Sequence, residues 1–223
     1  MNVRIISYSQ PVEGELYVGK DVQDLIAYCA RVSNPANQIN SETTERLLKY
    51  LIKHKHWSPF EMASACLEIE TTRDIARQLL RHRSFSFQEF SQRYADIRDL
   101  DNDFVLREAR LQDTKNRQNS IELDDESELH YAWNARQQEV IDNAKSAYDW
   151  AIENGIAKEQ ARAVLPEGLT KSRLYVNGTI RSWIHYIELR SANGTQKEHM
   201  DLAIECGKVI NKIFPFEEKN VSD

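Results

Sequence analysis

The sequence predicts an α+β fold, a single domain over residues 1–223 in which a small mixed or antiparallel sheet is packed by several helices. Three observations predict it. Apolar and polar residues alternate around Val3 and Ile5, and again through Ala63, Ala65, Leu67 and Ile69, which is the period of a half-buried strand. Elsewhere apolar residues recur at i, i+3, i+4 and i+7, the stripe of an amphipathic helix. No repeat, linker or low-complexity run divides the 223 residues, a length that suits one core.

After the opening strand, Val22, Leu25, Ile26 and Cys29 mark a first helix. Leu47, Leu48, Leu51 and Ile52 mark a second, entered at Asn40 or Ser41; it ends near His56, because Pro59 disfavours helical geometry at Ser58. His56-Trp57-Ser58-Pro59 is then a helix-to-strand turn, and the next strand puts Ser64, Cys66, Glu68 and Glu70 on its polar face. Thr71 or Thr72 can cap a third helix with the stripe Ile75, Ala76, Leu79 and Leu80. That helix delivers Gln78, Arg81 and His82 together, since neighbours three and four apart project alike. Ser84 to Tyr94 lack a 3.6-residue apolar period and read as an extended loop, and the acidic stretch from Glu122 to Glu128 reads as a solvated one. A long helix starts near Ser127, carries Trp133, Val140, Ile141, Ala144, Tyr148 and Ile152, and stops at Gly155. A short helix holds Arg162 and ends at Pro166; Leu174 and Val176 suggest a strand and Gly178 a turn. Ile180, Trp183, Ile184 and Ile187 form the buried stripe of a further helix, with Arg181 and His185 on one face. A last helix from about Lys197 buries Leu202, Cys206, Val209, Ile210 and Ile213.

Composition narrows the function classes. With 41% hydrophobic and 29% charged residues, no stretch approaches the roughly 18–20 apolar residues of a membrane span, so no membrane association is expected. The N-terminus lacks the basic segment, apolar core and cleavage site of a secretory signal, which points to the cytoplasm. Cys29, Cys66 and Cys206 are odd in number and widely spaced; they suit a reducing compartment and are expected as small buried hydrophobes. The six histidines form no HxxH or HExxH pattern, so no metal site is expected. A net charge of −6 supplies no global field for nucleic acid, so an anion site must come from a local cluster.

That cluster exists. Between Arg73 and Arg93 stand five arginines, Arg73, Arg77, Arg81, Arg83 and Arg93, against two acids, Asp74 and Glu89. The planar guanidinium fork binds phosphate bidentately, and Ser84, Ser86 and Ser91 add donors. Gln78 offers both an amide donor and an acceptor, as a uracil edge requires. From composition alone, a solvated helix face followed by a polar loop explains the stretch equally well. So does a nucleic-acid module using the arginines on phosphate and Phe85, Phe87 and Phe90 on bases, although the net charge opposes it.

The detailed pattern separates these readings. Arg81-His82-Arg83, followed after seven residues by Ser91 and then by Arg93, with Gln78 ahead, resembles the signature of the flavin-dependent thymidylate synthases. HWSPFE at 56–61 resembles the family's flavin-contacting turn, ARAVLP at 161–166 its second phosphate-binding segment, and RSWIHYIELR at 181–190 the helix that ends in its catalytic arginine. Thr179 stands where many members have Asn, and Gln88 where Asn is common.

The resemblance implies reductive methylation of dUMP to dTMP in a homotetramer with shared active sites. It implies that Gln78, Arg81, Glu89, Phe90, Ser91, Gln92, Arg93, Arg162 and Arg190 bind dUMP, and that Arg190 is catalytic. FAD would meet Ser58, Arg81, His82, Arg83, Glu89, Thr179, Arg181 and His185, with His56 at the border of flavin or folate. NADPH and 5,10-methylenetetrahydrofolate are the implied co-substrates. The seven glycines form no GxGxxG, which excludes a dinucleotide-binding loop and leaves the flavin to side chains.

Overall fold

The computed structural model describes residues 1–12, 19–100, 104–124 and 127–215. Its centre is an antiparallel sheet. β1 (Asn2–Tyr8) pairs with β2 (Ser64–Thr72), β2 with β6 (Lys171–Thr179), and β6 with β3 (Ser86–Glu89), in the order β1-β2-β6-β3. Of the two expected sheet types the antiparallel one is present, and the α+β class holds. The inward face of the central strands, Ala65, Leu67, Ile69, Leu174 and Val176, is fully buried. Each such aliphatic side chain larger than alanine contributes about 1.5–3 kcal/mol relative to exposure.

Helices cover that face. α6 (Ile180–Arg190) and α7 (Lys197–Ile210) pack on each other and bury Ile180, Trp183, Ile184, Leu202, Cys206 and Ile210 in the same core. Trp183 satisfies its indole N–H on the Ala65 carbonyl at 3.0 Å, which locks α6 onto β2. α1 (Val22–Ala30), α2 (Thr44–Lys53) and a 3-10 turn at Ser58–Glu61 close one end, and α3 (Arg73–Leu79) inserts Ile75, Ala76 and Leu79. The outward face is polar, as expected, and self-paired: Arg4 bonds Glu68 at 2.6 Å and Arg173 bonds Glu70 at 2.6 Å. The Arg4 hydrogen bond holds the buried Glu68 carboxyl below the usual carboxylate range.

α4 (Glu128–Glu153) begins where expected, with the Ser127 hydroxyl accepting from the His130 N–H, and ends at Gly155 with φ 76°. Together with α5 (Lys158–Ala161) it builds a second, smaller cluster of Ile97, Tyr148, Ala151 and Ala161. Among the described residues, no helix is long and apolar enough to cross a membrane and no group of His, Cys, Asp or Glu could hold a metal ion.

Several local expectations need correction. Gly178 is not a turn residue; it lies inside β6 opposite Ala65, and a Cβ there would come within 2.3 Å of the Phe85 ring. Glycine is required for close approach, not for a bend. The 84–94 loop contains β3, whose Ser86 and Gln88 face outward while Phe87 packs on the core. Helix α2 starts at Thr44 rather than near Asn40, and Thr72 precedes α3 without capping it: its hydroxyl donates to Asp74 instead. A hairpin of β4 (Arg110–Gln112) and β5 (Ser120–Glu122) carries no periodic signal because its residues are largely exposed. It takes up the start of the acidic stretch, of which residues 125–126 lie outside the described residues. Cys206 is buried, whereas Cys29 and Cys66 are only half-buried.

Candidate active site

Three segments distant in sequence meet at the ends of α3, α6 and α7. Arg190 closes α6, and its Nε donates to His82 Nε2 at 2.9 Å. That ring packs edge-on against Tyr186 at 5.0 Å and lies 6.2 Å from His199. On the far side, His199 Nδ1 meets Gln78 Oε1 at 3.1 Å, and Gln78 Nε2 donates to Gln196 Oε1 at 2.7 Å. α3 and the turn after it therefore supply Gln78 and His82, α6 supplies Tyr186 and Arg190, and α7 supplies His199.

The electrostatics of this cluster are uneven. Burial, reinforced by Arg190 and His82, lowers the His199 imidazole to about pKa 4; burial, Arg190 and Arg81 lower that of His82. Both rings are neutral at pH 7, which leaves positive charge on the guanidiniums. Burial also drives the Tyr186 hydroxyl upward, so it stays protonated. Its oxygen and His199 Nε2 are buried without a hydrogen-bond partner. Buried polar atoms are rarely left this way unless a ligand or water completes them.

Sequence reasoning assigned no role to His199, Tyr186 or Gln196. Tyr186 falls within the motif helix but off the Arg181/His185 face, and His199 lies in the first turn of a helix recognisable only by its apolar stripe. No local pattern marks either.

A second group assembles beside the first on α6. Trp57 packs edge-on against His185 with ring centroids 4.5 Å apart, and Arg181 bonds Glu61, so the 56–61 turn is seated on the Arg181/His185 face. Ser58 is exposed at its rim. Thr179 caps α6, its hydroxyl accepting from the Ser182 N–H at 3.2 Å, so that side chain is engaged within the protein. His56 is turned toward Tyr50 and His54 at the end of α2, at 6.2 Å from each.

A third group gathers the remaining motif residues. Glu89 lies 3.5 Å from both Arg73 and Arg77 and accepts from the Ser172 hydroxyl at 2.9 Å. Phe90 continues the sheet, donating its N–H to the Arg173 carbonyl at 2.8 Å, and the Ser91 carbonyl accepts from Tyr94 and Ala95 in a tight turn. Gln92 is buried, with Nε2 unpartnered. Arg93 lies over the Tyr94 ring and 3.7 Å from Glu159, whose carbonyl accepts from Arg162. Arg81 and Arg83 are exposed and make no ion pair among the described residues. Three of the five clustered arginines, Arg73, Arg77 and Arg93, are thus engaged in ion pairs, and two, Arg81 and Arg83, stand open.

Phe85 is buried against Trp183 at 4.6 Å and Phe87 is packed on the core, so neither is a free stacking platform for bases.

Comparison with known proteins places the chain in a family. The family model described as thymidylate synthase complementing protein matches residues 16–216. A protein of Paramecium bursaria Chlorella virus 1, named a probable flavin-dependent thymidylate synthase, is 50% identical over 96% of each chain. The flavin-dependent thymidylate synthase of Synechocystis is 48% identical over the same share. Among solved structures, a UMP/dUMP methylase from Streptomyces cacaoi bound with 5-bromo-dUMP superposes with a TM-score of 0.76 at 25% identity, covering 95% of this chain and 90% of that one. With most of its length matched by the family model and half of its residues shared with a full-length relative, this chain belongs to the flavin-dependent thymidylate synthases.

Proposed function

We propose that the protein converts dUMP to dTMP by reductive methylation, with 5,10-methylenetetrahydrofolate as carbon donor and NADPH-reduced FAD as hydride source, in the cytoplasm. The observation that carries the site assignment is the Arg190–His82 contact, joined through His199 to Gln78, with the buried Tyr186 oxygen and His199 Nε2 left unpartnered in the same cluster.

Carbon transfer to C5 of uracil requires an electron-rich ring. A cysteine adding to C6 would serve, yet Cys206, which lies close enough to Tyr186 to act on its hydroxyl, is wholly buried, and burial pushes its thiol far above its ordinary value. A thiolate is the nucleophilic form, so Cys206 is unsuited. Arg190 offers the other route: a guanidinium held in place by His82 stabilises uracil deprotonated at N3. The neutral His82 and His199 rings dilute neither its charge nor its aim. Gln78 positions the base, and Arg81, Ser91, Arg93 and Arg162 bind the phosphate, with Glu89, Phe90 and Gln92 shaping that strand.

The residues also fit a flavin. Trp57 and His185 present an aromatic edge, Arg181 and Ser58 stand beside it, and Arg81 and Arg83 are open cations suited to a pyrophosphate. When bound, reduced FAD supplies the hydride that completes the methyl group. The phosphate-side residues Arg93 and Arg162 and the base-side residues Gln78 and Arg190 form separate groups within one chain, which supports pockets completed between subunits of a homotetramer.

The test separates the half-reactions. Arg190→Ala should abolish dTMP formation while NADPH-driven flavin reduction continues, because only carbon transfer needs the N3 anion. Arg190→Lys keeps the charge without the planar fork and should restore only part of the rate. Near wild-type dTMP production by Arg190→Ala, measured on FAD-loaded protein, would overturn the assignment.

A further inference from the structure

Gln78 does not stand alone. Its amide is the third link of a hydrogen-bonded chain that starts at a carboxylate outside the pocket. Glu198 is anchored by Arg110 and lies 3.6 Å from Arg107. Gln196 Nε2 donates to Glu198 at 2.9 Å, Gln78 Nε2 donates to Gln196 Oε1 at 2.7 Å, and Gln78 Oε1 faces His199 Nδ1 at 3.1 Å.

The direction of every bond in this chain follows from its first member. An ionised carboxylate only accepts, so Gln196 must turn its amide nitrogen to Glu198 and its oxygen to Gln78. Gln78 must then give its nitrogen to Gln196 and keep its oxygen toward His199. That oxygen only accepts, so His199 carries its proton on Nδ1 and leaves Nε2 bare, which is the buried ring nitrogen without a partner. Burial raises the Glu198 carboxyl, but its own N–H, Gln196 and the two arginines outweigh this and leave it lowered, hence ionised at neutral pH.

The consequence concerns the choice of base. A glutamine free to rotate by half a turn exchanges donor for acceptor; neutral uracil, the form that binds, and cytosine differ at N3 and C4 by that same exchange, and the C4 difference persists once N3 loses its proton. Resting on the assignment of Gln78 to the pyrimidine, we propose that Glu198, acting through Gln196, is a positioning residue that locks the Gln78 amide in one orientation and thereby selects uracil over cytosine. His199 holds the opposite side of the same amide. Neither Glu198 nor Gln196 touches the substrate.

The experiment measures equilibrium binding of dUMP and of dCMP, and KM and kcat for dUMP, on the FAD-loaded full-length protein. The variants are Glu198→Gln, which lets the chain run in either direction, and Gln196→Leu, which cuts it at an exposed position without touching the arginine pairs. Because Glu198→Gln weakens two arginine contacts and could impair folding, Gln196→Leu keeps the test decisive. Both should reduce the preference for dUMP over dCMP by about tenfold, the size of one hydrogen bond made or lost, with the loss falling on KM rather than kcat. An unchanged preference, or equal weakening for both nucleotides, overturns the relay. Wild-type protein that binds neither nucleotide overturns the pyrimidine assignment itself and the relay with it.

Discussion

At the scale of single residues, the cluster at the proposed site sets groups kept neutral next to a group that cannot be. His199 is the clearest case. Its native imidazole resists protonation down to about pH 4, whereas an unfolded one titrates at its ordinary 6.5. Between these values the unfolded chain binds a proton that the native one refuses, so the stabilising contribution is complete above about pH 6.5 and is lost as pH falls toward 4. The stability difference between wild type and His199→Gln, which has no proton to take up, should therefore grow as pH rises from 4 to 6.5 and then level off. Urea denaturation across this range measures it. A difference independent of pH would mean that His199 packs without titrating. The same residue marks the limit of sequence reading. Arg81, Arg93 and Arg190 are legible because they stand in spaced motifs, while His199 has no motif and meets Gln78 from 121 residues away.

At the scale of elements, the seam between β6 and α6 positions the proposed site. β6 runs through Asn177 and Gly178 into Thr179, which caps α6, so the register of the strand sets where Arg181, His185 and Arg190 emerge. Phe85 lies directly over Gly178, in the space any side chain would need. Gly178→Ala should destabilise the protein by about 1–3 kcal/mol, the usual cost of forcing a group into a filled core, and should displace Phe85 and α6. Combining it with Phe85→Leu should recover part of that loss, because the two positions share one contact. Chemical denaturation of the single and double variants provides the measurement, and additive losses would sink the close-packing account. A glycine before a helix resembles a turn when read locally; only the partner strand and the ring above it reveal a close approach.

At the scale of the whole molecule, one chain displays more apolar surface than it can cover. Leu129, Trp133 and Val140 lie on one side of α4, next to its buried stripe, with 53%, 43% and 49% of their surface exposed. Such a strip suits the proposed homotetramer as an association surface. Placing lysine at both Trp133 and Val140 should shift the assembly toward smaller species in sedimentation velocity and lower FAD retention, since pockets completed between subunits come apart with them. A double variant that remains tetrameric with FAD bound would remove α4 from the interface.

What the sequence determined on its own is the part of the molecule written in period and local chemistry. The alternation of Ala63 to Ile69, the stripes of α3, α6 and α7, the start of α4 at Ser127 and the arginine enrichment of residues 73–93 depend on neighbours within a few residues, and all are present in the structure. What only the tertiary structure decided is each feature made by distant partners. The pairing of β3 with β6, the glycine demanded by Phe85, the loss of Arg73 and Arg77 to ion pairs and the gathering of Gln78, His82, Arg190 and His199 are of this kind. The physical reason is that hydrophobic burial leaves a repeating trace along the chain, whereas a hydrogen bond between helices constrains two side chains and leaves no period behind.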